Sequence, residues 1–245
     1  MGRLVTVLGA VYAVVALLLA VVAGFMSGTL LALPFALIPR GRRERYTVQA
    51  TRLFGWLCVR VILLARPQVR GLEHVPRERG ALIVCNHRSW LDPLLIATYL
   101  KANGLSKREI LYLPVIGFYG WLAGVVFVDR SSLTARKRAR DEMRAMLTAG
   151  NRMFVFPEGT RSRTGELGDK VHLGLIEDCH RSGVAVLPCA VAGTERTLPV
   201  GAIVAFPLQR VRLTVGELVE PSGYDDPKTF ASACWQRVVA LAEAS

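Results

Sequence analysis

Ala81-Leu82-Ile83-Val84-Cys85-Asn86-His87-Arg88-Ser89-Trp90-Leu91-Asp92-Pro93-Leu94-Leu95-Ile96 is the stretch that decides how this chain folds. The apolar run 81–85 reads as a strand, and the segment 93–101 reads as a helix. The loop between them is the kind of segment that presents side chains to a substrate instead of a core. His87 and Asp92 stand five positions apart in it. In a continuous helix that spacing would put them about 140° apart, so only a loop ending at a helix start can pair them. An imidazole beside a carboxylate can take a proton from a hydroxyl near neutral pH, because the carboxylate holds the tautomer and stabilises the imidazolium. Plainer readings stand beside this one. Asp92-Pro93 is a strong helix start, with Asp as N-cap and Pro at the first helical position, and His87 with Asp92 could bind a metal. Ser89 is set aside as a nucleophile because the chain has no G-x-S-x-G elbow.

Outward from this stretch, strands alternate with helices. Short apolar runs at 69–76, 125–128, 152–156, 184–192 and 211–215 read as strands. Residues 111–124 hold a short helix, and 132–149, 170–181 and 228–243 read as helices. The 132–149 helix carries a basic face (Arg136, Lys137, Arg140, Arg144), which reads as a solvated face. The alternation predicts an α/β domain with a largely parallel sheet flanked by helices.

The 245 residues suit one catalytic domain with an appendage. A hydrophobic content of 52% and a mean hydropathy of +0.35 are too high for an ordinary soluble enzyme. A net charge of +12 calls for anionic partners, and the apolar excess favours a membrane surface over nucleic acid. The five cysteines (Cys58, Cys85, Cys179, Cys189, Cys234) are odd in number, scattered and without a CxxC pair. They read as reduced thiols in a cytoplasm-facing domain with no zinc site. The four histidines have no metal-ligand spacing either.

The appendage is N-terminal. Residues 4–38 contain no charge, and as one helix they would reach roughly 50 Å, well beyond a hydrocarbon core of about 30 Å. A break is expected at Gly24-Phe25-Met26-Ser27-Gly28, with Pro34 disturbing the second half. Two arrangements stay open: one span over residues 4–23, or a re-entrant hairpin. A cleaved signal peptide, with a poor site at Val21-Val22-Ala23, is the plainer alternative. Arg3 precedes the run and Arg40-Gly41-Arg42-Arg43-Glu44-Arg45 follows it. Basic flanks mark the cytoplasmic side, so the domain is expected on the cytoplasmic face of the inner membrane. A second apolar stretch, 53–65, reads equally as an interfacial or a core helix. The expected division is 1–66 for membrane anchoring and 67–245 for catalysis.

Three further segments carry weaker signals. Phe156-Pro157-Glu158-Gly159-Thr160-Arg161-Ser162 follows a strand and offers a tight glycine turn, a hydroxyl and a guanidinium fork suited to phosphate. Gly124-Val125-Val126-Phe127-Val128-Asp129-Arg130 ends a strand in an Asp-Arg pair, at the sheet edge where α/β proteins bind ligands. Val184-Ala185-Val186-Leu187-Pro188-Cys189-Ala190-Val191 is apolar throughout. Singly, these read as a surface turn, an ion pair and a buried strand.

Their order resembles the four sequence blocks of the glycerolipid acyltransferases. The 86–92 loop resembles the NHxSxxD block, 124–130 the G-x-x-F-[IV]-D-R block, 156–162 the F-P-E-G-T-R-S block residue for residue, and 184–191 the fourth block, with Cys189 at a usually aliphatic position. The resemblance covers about residues 69–195 and is to 1-acylglycerol-3-phosphate and related lysophospholipid acyltransferases. It implies transfer of a fatty acyl group from acyl-CoA or acyl-carrier protein to the sn-2 hydroxyl of lysophosphatidate, giving phosphatidate, or to another lysophospholipid or a lyso-aminolipid, with no cofactor, no metal and no acyl-enzyme. On that resemblance His87 is the general base and Asp92 its partner. Arg130, Glu158, Gly159, Thr160 and Arg161 hold the acceptor's phosphate and glycerol, Glu158 by positioning the loop or touching the glycerol. Asn86, Ser89, Lys170 and Pro188 support the site, Pro188 by shaping an acyl tunnel. Val171-His172-Leu173-Gly174 departs from the expected small-residue stretch and bears on acceptor identity. The competing class is a non-catalytic membrane-bound scaffold that binds anionic lipid or nucleic acid through its charge, with the basic 136–144 helix as its supporting feature, and it would not need the His87–Asp92 pair.

Overall fold

The seven strands of the computed structural model form one sheet in the order β1-β7-β6-β2-β5-β3-β4. It describes residues 2–39, 42–113, 115–129, 131–162, 170–201 and 203–245, without the side chains of residues 2, 3 and 116. In chain order the elements are α1 (Gly2–Leu31), α2 (Glu44–Trp56), β1 (Arg66–Arg70), β2 (Ala81–Cys85), α3 (Leu91–Leu100), β3 (Asn103–Lys107), α4 (Arg108–Leu111), α5 (Ile116–Ala123), β4 (Val126–Val128), α6 (Leu133–Thr148), β5 (Arg152–Val155), α7 (Gly174–Arg181), β6 (Val186–Ala192), α8 (Thr194–Thr197), β7 (Arg210–Val215) and α9 (Pro227–Glu243). Every pairing is parallel except β6 with β7, which bears out the expected largely parallel α/β sheet.

Strand chemistry follows position. β2 is central and buried on both faces, so it is apolar throughout. β1 is an edge strand. Its charged, proline-bearing sequence Arg66-Pro67-Gln68-Val69-Arg70 suits a position where one side needs no ladder partner. β3 was not expected. Asn103-Gly104 begins a strand between β5 and β4 where no element was read. Gly104 is required there by the Phe154 ring, which a Cβ would meet at 2.3 Å.

Alternate strand residues feed two cores. Ile83, Cys85, Leu187, Cys189 and Val191 pack with α1, α3 and the end of α2. Leu82, Val84 and Val186 pack with α6, α7 and α9. The basic face of α6 is turned out while Ala139, Met143, Met146 and Leu147 are buried, as an amphipathic surface helix requires. α7 begins at Gly174, four residues later than expected from 170.

The N-terminal segment differs from expectation. α1 runs unbroken through Gly24 and Gly28. A Cβ on Gly28 would come within 2.2 Å of the Tyr119 ring, so the glycine admits α5 into contact and does not end the helix. The break falls at Ala32, where Pro34 enters a short 3-10 turn, Leu33–Phe35. No hairpin forms within 4–38. α1 pairs with α2 instead, Gly24 beside Phe54 and the Tyr12 hydroxyl donating to the Ile62 carbonyl. Residues advance on one helix as they recede on the other, so the two run antiparallel. α2 continues into a π-helical turn, Leu57–Ile62, with Cys58, Val59 and Ile62 buried and Trp56, Val61 and Leu64 exposed. The segment 53–65 thus has one face in the core and one face exposed.

Candidate active site

β2 delivers His87 and β5 delivers Phe156, at adjacent C-terminal strand ends. This is where parallel α/β sheets open a crevice for ligands. Asn86 sets the register of the first loop. Its amide donates to the Val191 carbonyl at 3.1 Å and accepts from the Val191 N–H at 2.8 Å, so the side chain continues the β2–β6 contact beyond Cys85.

Asp92 is fully buried and takes four donors. Its Oδ2 accepts from His87 Nδ1 at 2.8 Å, from the Arg88 N–H at 2.6 Å and from the Ser89 N–H at 2.7 Å. Its Oδ1 accepts from the Thr194 hydroxyl at 2.5 Å. The N-cap expected of Asp92 is not what forms. The helix starts two residues earlier, at Leu91, Trp90 holds the cap position, and Pro93 lies in the first turn. The carboxylate serves the loop that precedes the helix. The Leu91 N–H goes to the Ser89 hydroxyl, which itself donates to the Leu198 carbonyl, so Ser89 is a buried brace.

A carboxylate can only accept, so the proton between the pair sits on Nδ1 and Nε2 is left as the ring's basic nitrogen. The imidazole is 15% exposed and stacks on Phe156, with centroids 4.0 Å apart and planes at 9°. No thiol competes for the nucleophile's role here: burial pushes the Cys85 and Cys189 thiols well above the ordinary range. Among the described residues no group of three or more His, Cys, Asp or Glu side chains is placed to hold a metal ion.

Hydrogen bonds join the 156–162 loop to the backbone of His87. The Glu158 carboxylate accepts the His87 N–H at 2.9 Å, and the Ser162 N–H donates to the His87 carbonyl at 2.9 Å. The first of these bonds places Glu158 at the junction of the two loops. Gly159 sits at φ 66°, where a side chain is strained. Thr160 is exposed. The Arg161 guanidinium lies 4.3 Å over the Trp90 ring, a cation–π contact that orients it beside the histidine loop.

Other expected residues fall elsewhere. Arg130 lies outside the described residues. Lys170 is exposed, although the chain just after it returns to the loop through a His172 N–H bond to the Pro157 carbonyl. Pro188 lies on the wrong face for a tunnel wall. The period of two in β6 sends Leu187 and Cys189 toward α1 and α3 and Pro188 the other way, its ring near Gly216 beside Leu241 of α9. Thr194 was missed. Its signal is only Gly193-Thr194 after the fourth block, and nothing local says that a turn 102 residues away meets Asp92.

Beside the histidine loop an apolar cavity of about 610 Å³ lies between α1 and the sheet. Trp90 and Leu198 line it near the loop, Phe154 and Phe127 on the sheet side, and Ala16, Ala20 and Gly24 along α1. The volume falls within the few hundred to about 1,000 Å³ of small-molecule pockets.

The strand-end imidazole with its carboxylate thus lies beside an apolar cavity. A family model described as Acyltransferase matches residues 66–192, over half of the chain, and the chain belongs to that family. It is 30% identical over 189 residues to the chloroplastic 1-acyl-sn-glycerol-3-phosphate acyltransferase LPAT1 of Arabidopsis thaliana, covering 74% of this chain and 52% of that one. It is 32% identical over 171 residues to the 1-acyl-sn-glycerol-3-phosphate acyltransferase of Pseudomonas aeruginosa, covering 68% and 65%. The chain thus spans about half the length of most curated relatives it matches. The crystal structure of the 1-acyl-sn-glycerophosphate (LPA) acyltransferase PlsC from Thermotoga maritima superposes with a TM-score of 0.80 at 25% identity, covering 100% of this chain and 97% of that one.

Proposed function

We propose that this protein moves a fatty acyl group from acyl-CoA or acyl-carrier protein to the sn-2 hydroxyl of lysophosphatidate, giving phosphatidate. The observation that carries this reading is the His87–Asp92 pair, joined through Glu158 and Ser162 to the phosphate-suited 156–162 loop and opening beside a lipid-sized cavity. The names of the relatives support the same acceptor.

In this mechanism His87 Nε2 takes the proton of the acceptor hydroxyl as its oxygen attacks the thioester carbonyl. Asp92 stabilises the imidazolium that results. The tetrahedral adduct collapses by breaking the carbon–sulfur bond, and the imidazolium returns its proton to the thiolate. The products are an ester and a free thiol. A thioester is already activated, so positioned reactants and a base suffice and no metal or cofactor is required. Arg161, Thr160 and the Gly159 backbone, with Arg130, bind the acceptor's phosphate, and the acyl chain lies in the cavity along α1.

The reaction belongs at the cytoplasmic face of the inner membrane, with residues 1–66 as the membrane-anchoring part. α1 is long and apolar enough to cross a bilayer, and its outer face is open, with Leu4, Leu8, Leu18 and Leu30 each at least 60% exposed. Its inner face is packed on the domain, the Gly9 carbonyl accepting from the Ala205 N–H and Gly28 lying against Tyr119. The domain therefore accompanies the helix into the interface, and Arg42, Arg43 and Arg45 lie on the cytoplasmic side.

The test is thiol release from a long-chain acyl-CoA with the reconstituted protein and a panel of lysolipids. Lysophosphatidate should be preferred, and His87→Ala should lower turnover at least 100-fold with membrane association intact. Near-normal turnover by that variant would sink the mechanism. Preference for a phosphate-free acceptor would remove the roles given to Arg130 and Arg161, and preference for another lysophospholipid would tie acceptor choice to the departure at residues 171–174.

A further inference from the structure

A second cavity, of about 370 Å³, lies at the opposite end of the sheet from His87. Its walls include Arg152 at the start of β5 and Gly150 and Asn151 just before it. His87 follows the other end of the neighbouring strand β2, and five residues of strand put the two sites about 16 Å apart. The lining is basic. Arg45, Arg77 and Lys101 face it together with Arg152 and Arg79, against two acidic members, Glu44 and Glu78.

Part of this charge is already engaged. Arg79 is bound by Glu220, Arg45 donates to the Ala149 carbonyl at 3.3 Å, and Arg152 donates to the Pro76 carbonyl at 3.4 Å. Arg77 and Lys101 are in no ion pair among the described residues. Lys101 is also held at φ 51° where α3 ends. That C-terminal position usually falls to glycine, and a lysine in the left-handed region carries strain that the surroundings must enforce.

The location says which anion belongs there. Arg45 is next to Tyr46, whose ring stacks on Phe35 with centroids 5.0 Å apart. Phe35 is in the turn that ends the apolar helix α1. In the same turn region Leu33 is 43% exposed and Leu37 is 99% exposed. Leu33 and Leu37 flank Phe35 in sequence and Arg45 adjoins Tyr46, so the exposed leucines at the end of the apolar helix are linked through one aromatic stack to the basic cavity, an arrangement that matches the boundary between acyl chains and charged headgroups. We infer that this cavity is a binding site for the headgroup of an anionic phospholipid, separate from the acceptor and donor sites. Arg77 and Lys101 bind the phosphate, and Leu33 and Leu37 meet the lipid's chains.

The bilayer setting is taken from the proposed function. The test is free of it, because no acyl donor or acceptor is present. Thermal unfolding of the full chain is followed in neutral detergent micelles with added phosphatidylglycerol, phosphatidylcholine or inorganic phosphate. A ligand that binds only the folded state raises the midpoint in proportion to the logarithm of its concentration over its Kd. Phosphatidylglycerol should give a saturable rise and phosphatidylcholine at least tenfold weaker binding. Arg77→Gln with Lys101→Gln should weaken phosphatidylglycerol binding at least tenfold. The same charge removed from α6 by Arg136→Gln with Lys137→Gln should leave it within about twofold. Equal weakening by both pairs would mean diffuse charge attraction and overturn the site. The full effect from inorganic phosphate would mean a free-anion site and overturn the lipid assignment, as would no saturable rise with phosphatidylglycerol. If the double variant does not fold, Arg77→Gln, at an exposed residue, should still weaken binding several-fold, and an unchanged Kd overturns the proposal.

Discussion

The Thr194 hydroxyl donates to Asp92 Oδ1 at 2.5 Å across 102 residues of chain. Asp92 Oδ2 is taken by His87 and two backbone N–H groups, so Thr194 supplies the bond that keeps the second oxygen from turning. Gly193, at φ 78° and against the Arg210 carbonyl, makes the turn that brings it there.

Thr194→Val keeps the shape and removes the donor. A hydrogen bond to a buried charged group contributes about 1.5–3 kcal/mol, so kcat should fall roughly 10- to 100-fold, with KM for either substrate within about twofold. Thr194→Ser should restore most of the loss. Steady-state kinetics of the three proteins check this, and a Val variant with normal kcat would show that Asp92 is held without Thr194.

Glu158→Ala leaves the backbone N–H of His87 without the acceptor it now has at 2.9 Å. An unsatisfied buried donor costs about 1–3 kcal/mol, so the denaturation midpoint should fall and turnover with it, since the histidine loop loses a hydrogen bond that ties it to the 156–162 loop. Glu158→Gln retains an oxygen in the same place and should recover most of the stability. If Glu158 instead bound the substrate, Gln would leave stability unchanged and raise the acceptor's KM, and paired melting and kinetic measurements separate the two.

Ala20→Leu projects a larger side chain from α1 into the apolar cavity. Each methylene of a bound chain displaced from the cavity forfeits about 0.8 kcal/mol, so displacing two should lower kcat/KM for a palmitoyl donor by roughly tenfold. A decanoyl donor, too short to reach the filled part, should be little affected. Equal loss for both donors would place the acyl chain elsewhere.

How much of this could be read from the chain depends on how local each signal is. The 81–85 strand, the loop after it and the helix that follows are written in one continuous segment, and the structure keeps their order. The F-P-E-G-T-R-S loop was legible for the same reason: its glycine turn and its charged side chains lie within seven residues. Asn103-Gly104 shows no strand signal until Phe154 and the β5 edge are in place. Gly24 and Gly28 read as a helix break until Phe54 and Tyr119 fill the space they leave. In each of these positions a partner distant in sequence reverses the local preference.

The sequence by itself determined the alternating strands and helices, the apolar N-terminal helix and the residue types of the site, because periodicity and motif order are properties of neighbouring residues. Only the tertiary structure decided that Asp92 braces the histidine loop instead of capping a helix, that Thr194 completes the pair, and that Pro188 faces away from the cavity. It also decided that α1 is a wall of that cavity. Each of these depends on which strand ends are adjacent and which way a side chain points, and both are set by the packing of the two cores against the sheet.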